Sequence, residues 1–323
     1  MNRRFARLFL VFVIFTTPFP AAAQEKRTAM NVLFIGNSYT ARHKLSQVVK
    51  AMAEEGNPGL TFNPSTVIYG GRTLADHWRL GTQNFVRRYE VTADEVKKTI
   101  AELEAALKKN PKDRYAKSAI QQQKGLLNQL GEKHPKWDVV VLQSYRDDLE
   151  GDPTRYAEYA PKFAKLAKAQ GARVILYETT PTTQNAEPLT AAPDPSAIQK
   201  KSRAIAKLAK EIDAAVAPMS LVGLRCQTER PDLPLRFIND AHLNQTMAYL
   251  TACSIYAALF DKSPVGLKIN SITDIRFFEK EPGNKQKDRD GNPITRVFSD
   301  KDRADLQRIA WEAYGEFKAI STE

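Results

Sequence analysis

An α/β fold with a parallel sheet covered by helices on both faces is predicted by three features of the sequence. Strand-like and helix-like patterns alternate through most of the chain. Two of the apolar runs, Val32-Leu33-Phe34-Ile35 and Val139-Val140-Val141-Leu142, are continuous rather than alternating, as in strands buried on both sides. Several runs also stop on glycine or asparagine, the residues that end strands in turns.

In order, residues 32–35 are the first strand, and a helix is predicted over 45–55, ending at Gly56-Asn57-Pro58-Gly59. Residues 61–69 read as a second strand that stops at Gly70-Gly71. The rhythm then breaks. Thr92-Ala93-Asp94-Glu95 has the form of a capping box, and Val96, Ile100, Leu103 and Leu107 fall on one helical face up to Asn110-Pro111. A second helical run starts at Asp113 and carries Ala116, Ala119, Leu126, Leu127 and Leu130, so residues 92–131 make a helical hairpin inserted between strands two and three. An insert in that place either sits beside the ligand face of the sheet or is a solvated decoration.

Residues 139–142 are strand three, 174–177 strand four, and 215–219 a weaker strand five. The helix before strand five places Ile198, Ile205, Leu208 and Ile212 on one stripe, and a last helix over 301–317 does so with Leu306, Ile309, Ala313 and Phe317. Residues 269–292 look irregular. Asp288, Asp290 and Asn292 superficially resemble a cation loop, but Gly291 is misplaced for an EF-hand and no acidic last ligand follows, so a polar hairpin turn is predicted.

The N-terminus has the form of a secretory signal. Arg3, Arg4 and Arg7 precede an apolar run over 8–15, and Ala21-Ala22-Ala23 supplies small residues for cleavage. Residues 1–23 are thus expected to be removed, leaving a secreted or periplasmic domain over 24–323 with no membrane span. About 300 residues are ample for a large core. The formal charge of +11 falls to +8 without the three signal arginines. The basic residues are scattered among acids with no aromatic-interleaved stripe, so no nucleic-acid partner is expected. Cys226 and Cys253 are the only cysteines, and an oxidising compartment leaves their pairing open. With two cysteines and four histidines no metal spacing stands out, and no cofactor is expected.

The first strand ends at Gly36-Asn37-Ser38, which places one hydroxyl at the carboxyl end of a buried strand, where open α/β sheets hold their ligands. Ser38 is therefore the candidate nucleophile, and it needs a base to take its proton. Of His43, His77, His134 and His242, the first lies too close to Ser38 along the chain and His134 sits in a lysine-rich loop. His242 stands in Phe237-Ile238-Asn239-Asp240-Ala241-His242-Leu243-Asn244, just ahead of an apolar helix, where an acid and an imidazole can face one cleft.

At these residues the chain resembles the SGNH/GDSL-type hydrolases. Gly36-Asn37-Ser38 stands for their Gly-Asp-Ser, Gly70-Gly71 follows strand two, Gln143 closes strand three, and the histidine block comes late, all in order over 31–262. The resemblance implies a flavodoxin-like three-layer α/β/α sandwich and serine-dependent ester hydrolysis. By the same resemblance Ser38 is the nucleophile and His242 the base, with an oxyanion hole made by the amides of Ser38 and of Gly70 or Gly71 and by the side chain of Gln143 in place of the usual asparagine. The family's acid three residues before the histidine is Asn239 here. Asp240, one residue nearer, is taken to orient the ring, the alternatives being a Ser–His dyad or an inactive site.

Asn37 and Ser144, beside these motifs, are further candidate substrate contacts. His77 and Trp78 follow the glycine turn and either line a sugar-binding wall or belong to the core. The expected function is an exported serine esterase acting on acyl groups of carbohydrate or small polar esters. The alternative is a glycan-binding protein on a decayed hydrolase scaffold.

Overall fold

A computed structural model describes residues 28–132, 134–144, 155–179, 181–275 and 285–322; the predicted signal segment lies outside them. Five parallel strands form the central sheet in the order β2-β1-β3-β4-β5. They are β1 Ala29–Gly36, β2 Thr61–Ile68, β3 Val139–Gln143, β4 Arg173–Tyr177 and β5 Ala215–Ala217. In the pairing of β1 with β3, Val32 lies opposite Val139 and Ile35 opposite Leu142. Val32, Leu33, Phe34 and Ile35 and the whole of β3 are buried, which matches the unbroken apolar runs. Edge strand β2 is more exposed, with only Phe62 and Val67 buried, and contains Pro64, which an edge tolerates.

The crossover from β1 to β2 runs one way along the sheet and the later crossovers run the other, so right-handed connections place their helices on opposite faces. After β1 come the short α1 (Ser38–Ala41) and α2 (Leu45–Gly56). After β2 come α3 (Leu74–Arg79), α4 (Thr82–Val86) and the predicted hairpin, α5 (Ala93–Lys109) and α6 (Arg114–Gln129). Helices α7 (Arg155–Ala169) and α8 (Ser196–Glu211) lead into β4 and β5. The α/β/α sandwich is completed by α9 (Met219–Glu229), α10 (Gln245–Phe260) and α11 (Asp300–Thr322). Helix α10 is buried on every side from Gln245 to Leu259, wedged against α2, β5 and α11.

Three departures from the sequence reading have local causes. Strand β5 stops at Ala217, because Met219 already begins α9. Helix α7 has Pro161 inside it, which masks its helical pattern. The stretch read as irregular contains β6 (Ser271–Thr273), paired antiparallel with β7 (Thr295–Val297), strands too short to show a period. Cys226 and Cys253 are both free and buried. Burial pushes the Cys226 thiol up to about 12, so these groups act as small apolar side chains. Among the described residues no helix is long and apolar enough to cross a membrane, and no cluster of three or more acidic, histidine or cysteine side chains could hold a metal ion.

Candidate active site

The strand order reverses at β1, and Ser38 follows that strand at its carboxyl end. Asn37 caps α1: its side-chain oxygen accepts from Tyr39 N at 3.0 Å, and its side-chain amide donates to the Arg72 carbonyl at 3.1 Å. Its backbone N–H donates to Gln143 Oε1 at 2.8 Å. Gly36 makes this close approach feasible, since a Cβ there would lie 2.5 Å from Gln143 Oε1 and nearer still to Thr40 Oγ1. Beyond α1 the chain bends through His43 and Lys44, both left-handed at φ 56° and 49°. Such a conformation costs roughly 1–2 kcal/mol per non-glycine residue. It is held by a 2.9 Å hydrogen bond from His43 Nε2 to the carbonyl of Leu243, the neighbour of His242.

His242 Nε2 lies 2.8 Å from Ser38 Oγ, and His242 Nδ1 lies 2.5 Å from Asp240 Oδ1. An ionised carboxylate only accepts, so the pattern assigns the proton to Nδ1 and leaves Nε2 to accept from the serine hydroxyl. The second oxygen of Asp240 accepts a hydrogen bond from Arg42 Nη2 at 2.7 Å and is ion-paired with Arg289, whose Nε lies 3.0 Å away. Burial opposes ionisation of Asp240, but the hydrogen bond from His242 and the charge of Arg42 outweigh it and hold the carboxyl at about 2. Arg42 Nη2 also comes within 3.2 Å of His242 Nδ1; both atoms carry protons, so the arginine's bond is the one to Asp240.

Asp240 sits where it does because the loop is pinned from outside. Asp290 accepts from the backbone N–H groups of Ile238 and Asn239 at 2.8 and 3.0 Å, and Asn239 itself is exposed. The polar turn that presents Asp290 and Arg289 is closed by Asp288, which accepts from the N–H groups of Asp290 and Asn292, with Gly291 at φ 86°. Below the site, Asp274 is buried with no hydrogen-bond partner for its carboxyl oxygens among the described residues, and burial raises its pKa. His43 Nδ1 is 3.6 Å away, its own pKa lowered to about 4 by burial.

The remaining candidate residues divide into two groups. Gly71, left-handed at φ 65°, and Gly70 form an open turn beside Asn37, and no backbone hydrogen bond uses their N–H groups among the described residues. Tyr115 of α6 donates to the Gly70 carbonyl at 2.8 Å, so the inserted hairpin touches this turn directly. The second group needs correction. Gln143 is buried and its amide nitrogen turns to the Ser144 carbonyl, so its side chain braces the nucleophile turn instead of facing a ligand. Asn37 and Ser144 are likewise buried and spent on the backbone, Ser144 Oγ accepting from Leu74 N at 2.9 Å. His77 is fully buried between Thr82 Oγ1 and the Gly36 carbonyl, each at 3.0 Å. Trp78 packs edge-on against Phe163 at 5.2 Å in the contact of α3 with α7. Small polar residues and a histidine that follow strand ends are used here to satisfy buried backbone, a need that sequence pattern does not reveal.

Sequence reading missed Arg42, Arg289, Asp290 and Tyr115, whose partners lie far away along the chain; the one available signal was the acidic turn at 288–292.

No family model matches the sequence, and neither does any curated protein. Among solved structures, the chain is similar to a DUF4886 family protein from Bacteroides uniformis, at 15% identity and a TM-score of 0.47, over 88% of this chain and 94% of that one. It is similar to TesA at 16% identity and a TM-score of 0.40, over 72% and 99% of the two chains. It is also similar, at 21% identity and a TM-score of 0.43 over 72% of this chain and 99% of the other, to a candidate SGNH hydrolase from Slackia heliotrinireducens, a member of the family that its own Gly36-Asn37-Ser38 and His242 segments resemble.

Proposed function

We propose that this chain is an exported serine hydrolase that cleaves carboxylic esters, with acyl groups on carbohydrate or other small polar alcohols as its substrates. One observation carries the reading: the half-buried hydroxyl of Ser38 lies 2.8 Å from His242 Nε2, with Asp240 behind the ring, at the switch point of a parallel sheet. In this mechanism His242 takes the Ser38 proton as Oγ attacks the ester carbonyl. The N–H of Ser38, at the first position of α1 where no intrahelical bond uses it, and the amides of Gly70 and Gly71 stabilise the oxyanion. The imidazolium then protonates the leaving alcohol. Water then gives a proton to His242 as it attacks the acyl carbon, and the Oγ–acyl bond breaks as His242 returns that proton to Ser38, releasing the acid.

The glycan-binding alternative drew its motive from Asn239. The contact of Asp240 with the imidazole supports the enzymatic reading over it, since an acid does accompany the ring. The N-terminal segment over 1–23 supports export.

The expected outcome is turnover of short-chain acyl esters by the purified protein, and labelling of Ser38 by a fluorophosphonate read by mass spectrometry. Ser38→Ala should abolish both. Sugar binding that persists in Ser38→Ala and His242→Ala, with no acyl release from the native protein, would select the alternative.

A further inference from the structure

We propose that the Gly70-Gly71 turn carries an anion subsite built from Arg72 and Arg114, and that the ester cleaved at Ser38 bears a carboxylate. This rests on the serine-esterase reading and names its substrate class.

The subsite adjoins the nucleophile through the backbone. The Arg72 carbonyl accepts from Asn37, the residue before Ser38. The guanidinium of Arg72 lies 4.5 Å from the centre of the Tyr115 ring and that of Arg114 lies 4.9 Å from the same centre. Arg114 donates to the Tyr115 hydroxyl at 2.8 Å, and that hydroxyl donates in turn to the Gly70 carbonyl at 2.8 Å. One aromatic ring thus fixes two cations on the turn that borders the reacting serine.

Neither cation has a carboxylate partner among the described residues, in contrast to the other arginines near the site. Arg79 pairs with Asp113, while Arg42 and Arg289 pair with Asp240. Asp76, the nearest acid along the chain to Arg72, closes a capping box with the Thr73 N–H and hydroxyl, each at 3.1 Å. Arg72 Nε is buried with no acceptor among the described residues. Two like charges held against one ring repel each other, and a bound anion relieves that cost. A planar carboxylate suits the guanidinium fork. The net positive charge of the chain would draw such a substrate in.

The test compares esters that differ by one charge. Mono-para-nitrophenyl adipate against para-nitrophenyl hexanoate places the charge on the acyl side; meta-acetoxybenzoate against phenyl acetate places it on the alcohol side. In one of the two pairs, kcat/KM for the charged ester should exceed that for the neutral ester by roughly tenfold at low salt, as charge-assisted hydrogen bonds allow. Added salt should shrink that preference. It should fall to about one in the Arg72→Gln, Arg114→Gln double variant and survive in part in Arg72→Lys.

Native ratios at or below one in both pairs, or a preference unchanged in the double variant, would overturn the subsite; the first reading needs no variant to fold. Fluorophosphonate labelling separates the two levels. Labelled Ser38 without an anion preference removes the subsite alone, whereas no labelling and no turnover removes the esterase with it.

Discussion

Each oxygen of Asp240 has a separate task. One accepts a hydrogen bond from Nδ1–H of His242, and the other is held by Arg42 and Arg289. Asp240→Asn would offer the ring an amide and favour the wrong tautomer, so kcat should fall by about 10⁴-fold, the loss known for this exchange in a serine protease triad. Asn239→Ala should stay within about threefold of the parent, because that side chain is exposed and points to Asp290. Arg42→Gln leaves one guanidinium to hold the carboxylate; kcat should drop by about 10- to 100-fold, the scale of a small misplacement, with KM little changed. Steady-state kinetics on one neutral acyl ester checks all three. Ser38 and His242 were legible in the sequence because their surroundings follow from local rules, a strand that stops and a loop that precedes a helix. The arginines were not, since Arg42 meets Asp240 across 198 positions of chain. A shift of one residue between acid and histidine is likewise settled by loop packing that no spacing rule encodes.

The hairpin of α5 and α6 was readable because its capping box and apolar stripes are local signals. Its docking was not, since that depends on the Asp113–Tyr115 corner meeting Arg79 and the Gly70 turn in space. Tyr115→Phe removes the hydrogen bond to the Gly70 carbonyl, in the turn proposed to face the oxyanion, while keeping the ring. A bond of about 1 kcal/mol predicts a three- to tenfold fall in kcat/KM on any ester. A helical insert that only decorates the surface would leave kcat/KM where it was.

Over the whole molecule, stability should decline in mild acid. His43 and His77 are buried and neutral, with pKa values lowered to about 4 by burial, against an ordinary value near 6.5. Below pH 6.5 the unfolded chain binds protons that the folded chain refuses, so stability falls as pH drops from 6.5 to 4, by up to about 3 kcal/mol for each histidine. Thermal melts across that range should show the decline, and His77→Gln should reduce it by about half, His43 supplying the rest; a melting temperature that is constant from pH 6.5 to 4 would contradict the assignment. The parallel strands were within reach of sequence because strands buried on both faces announce themselves by continuous apolar runs, whereas their order in the sheet was not. The β6–β7 pair, three residues a side, was out of reach. Finally, His242 stands three positions ahead of α10, the helix sealed on all sides, and Ser38 two positions beyond the buried end of β1. Both members of the proposed pair are thus tied to the interior, so heating should extinguish turnover and melt the protein in a single event.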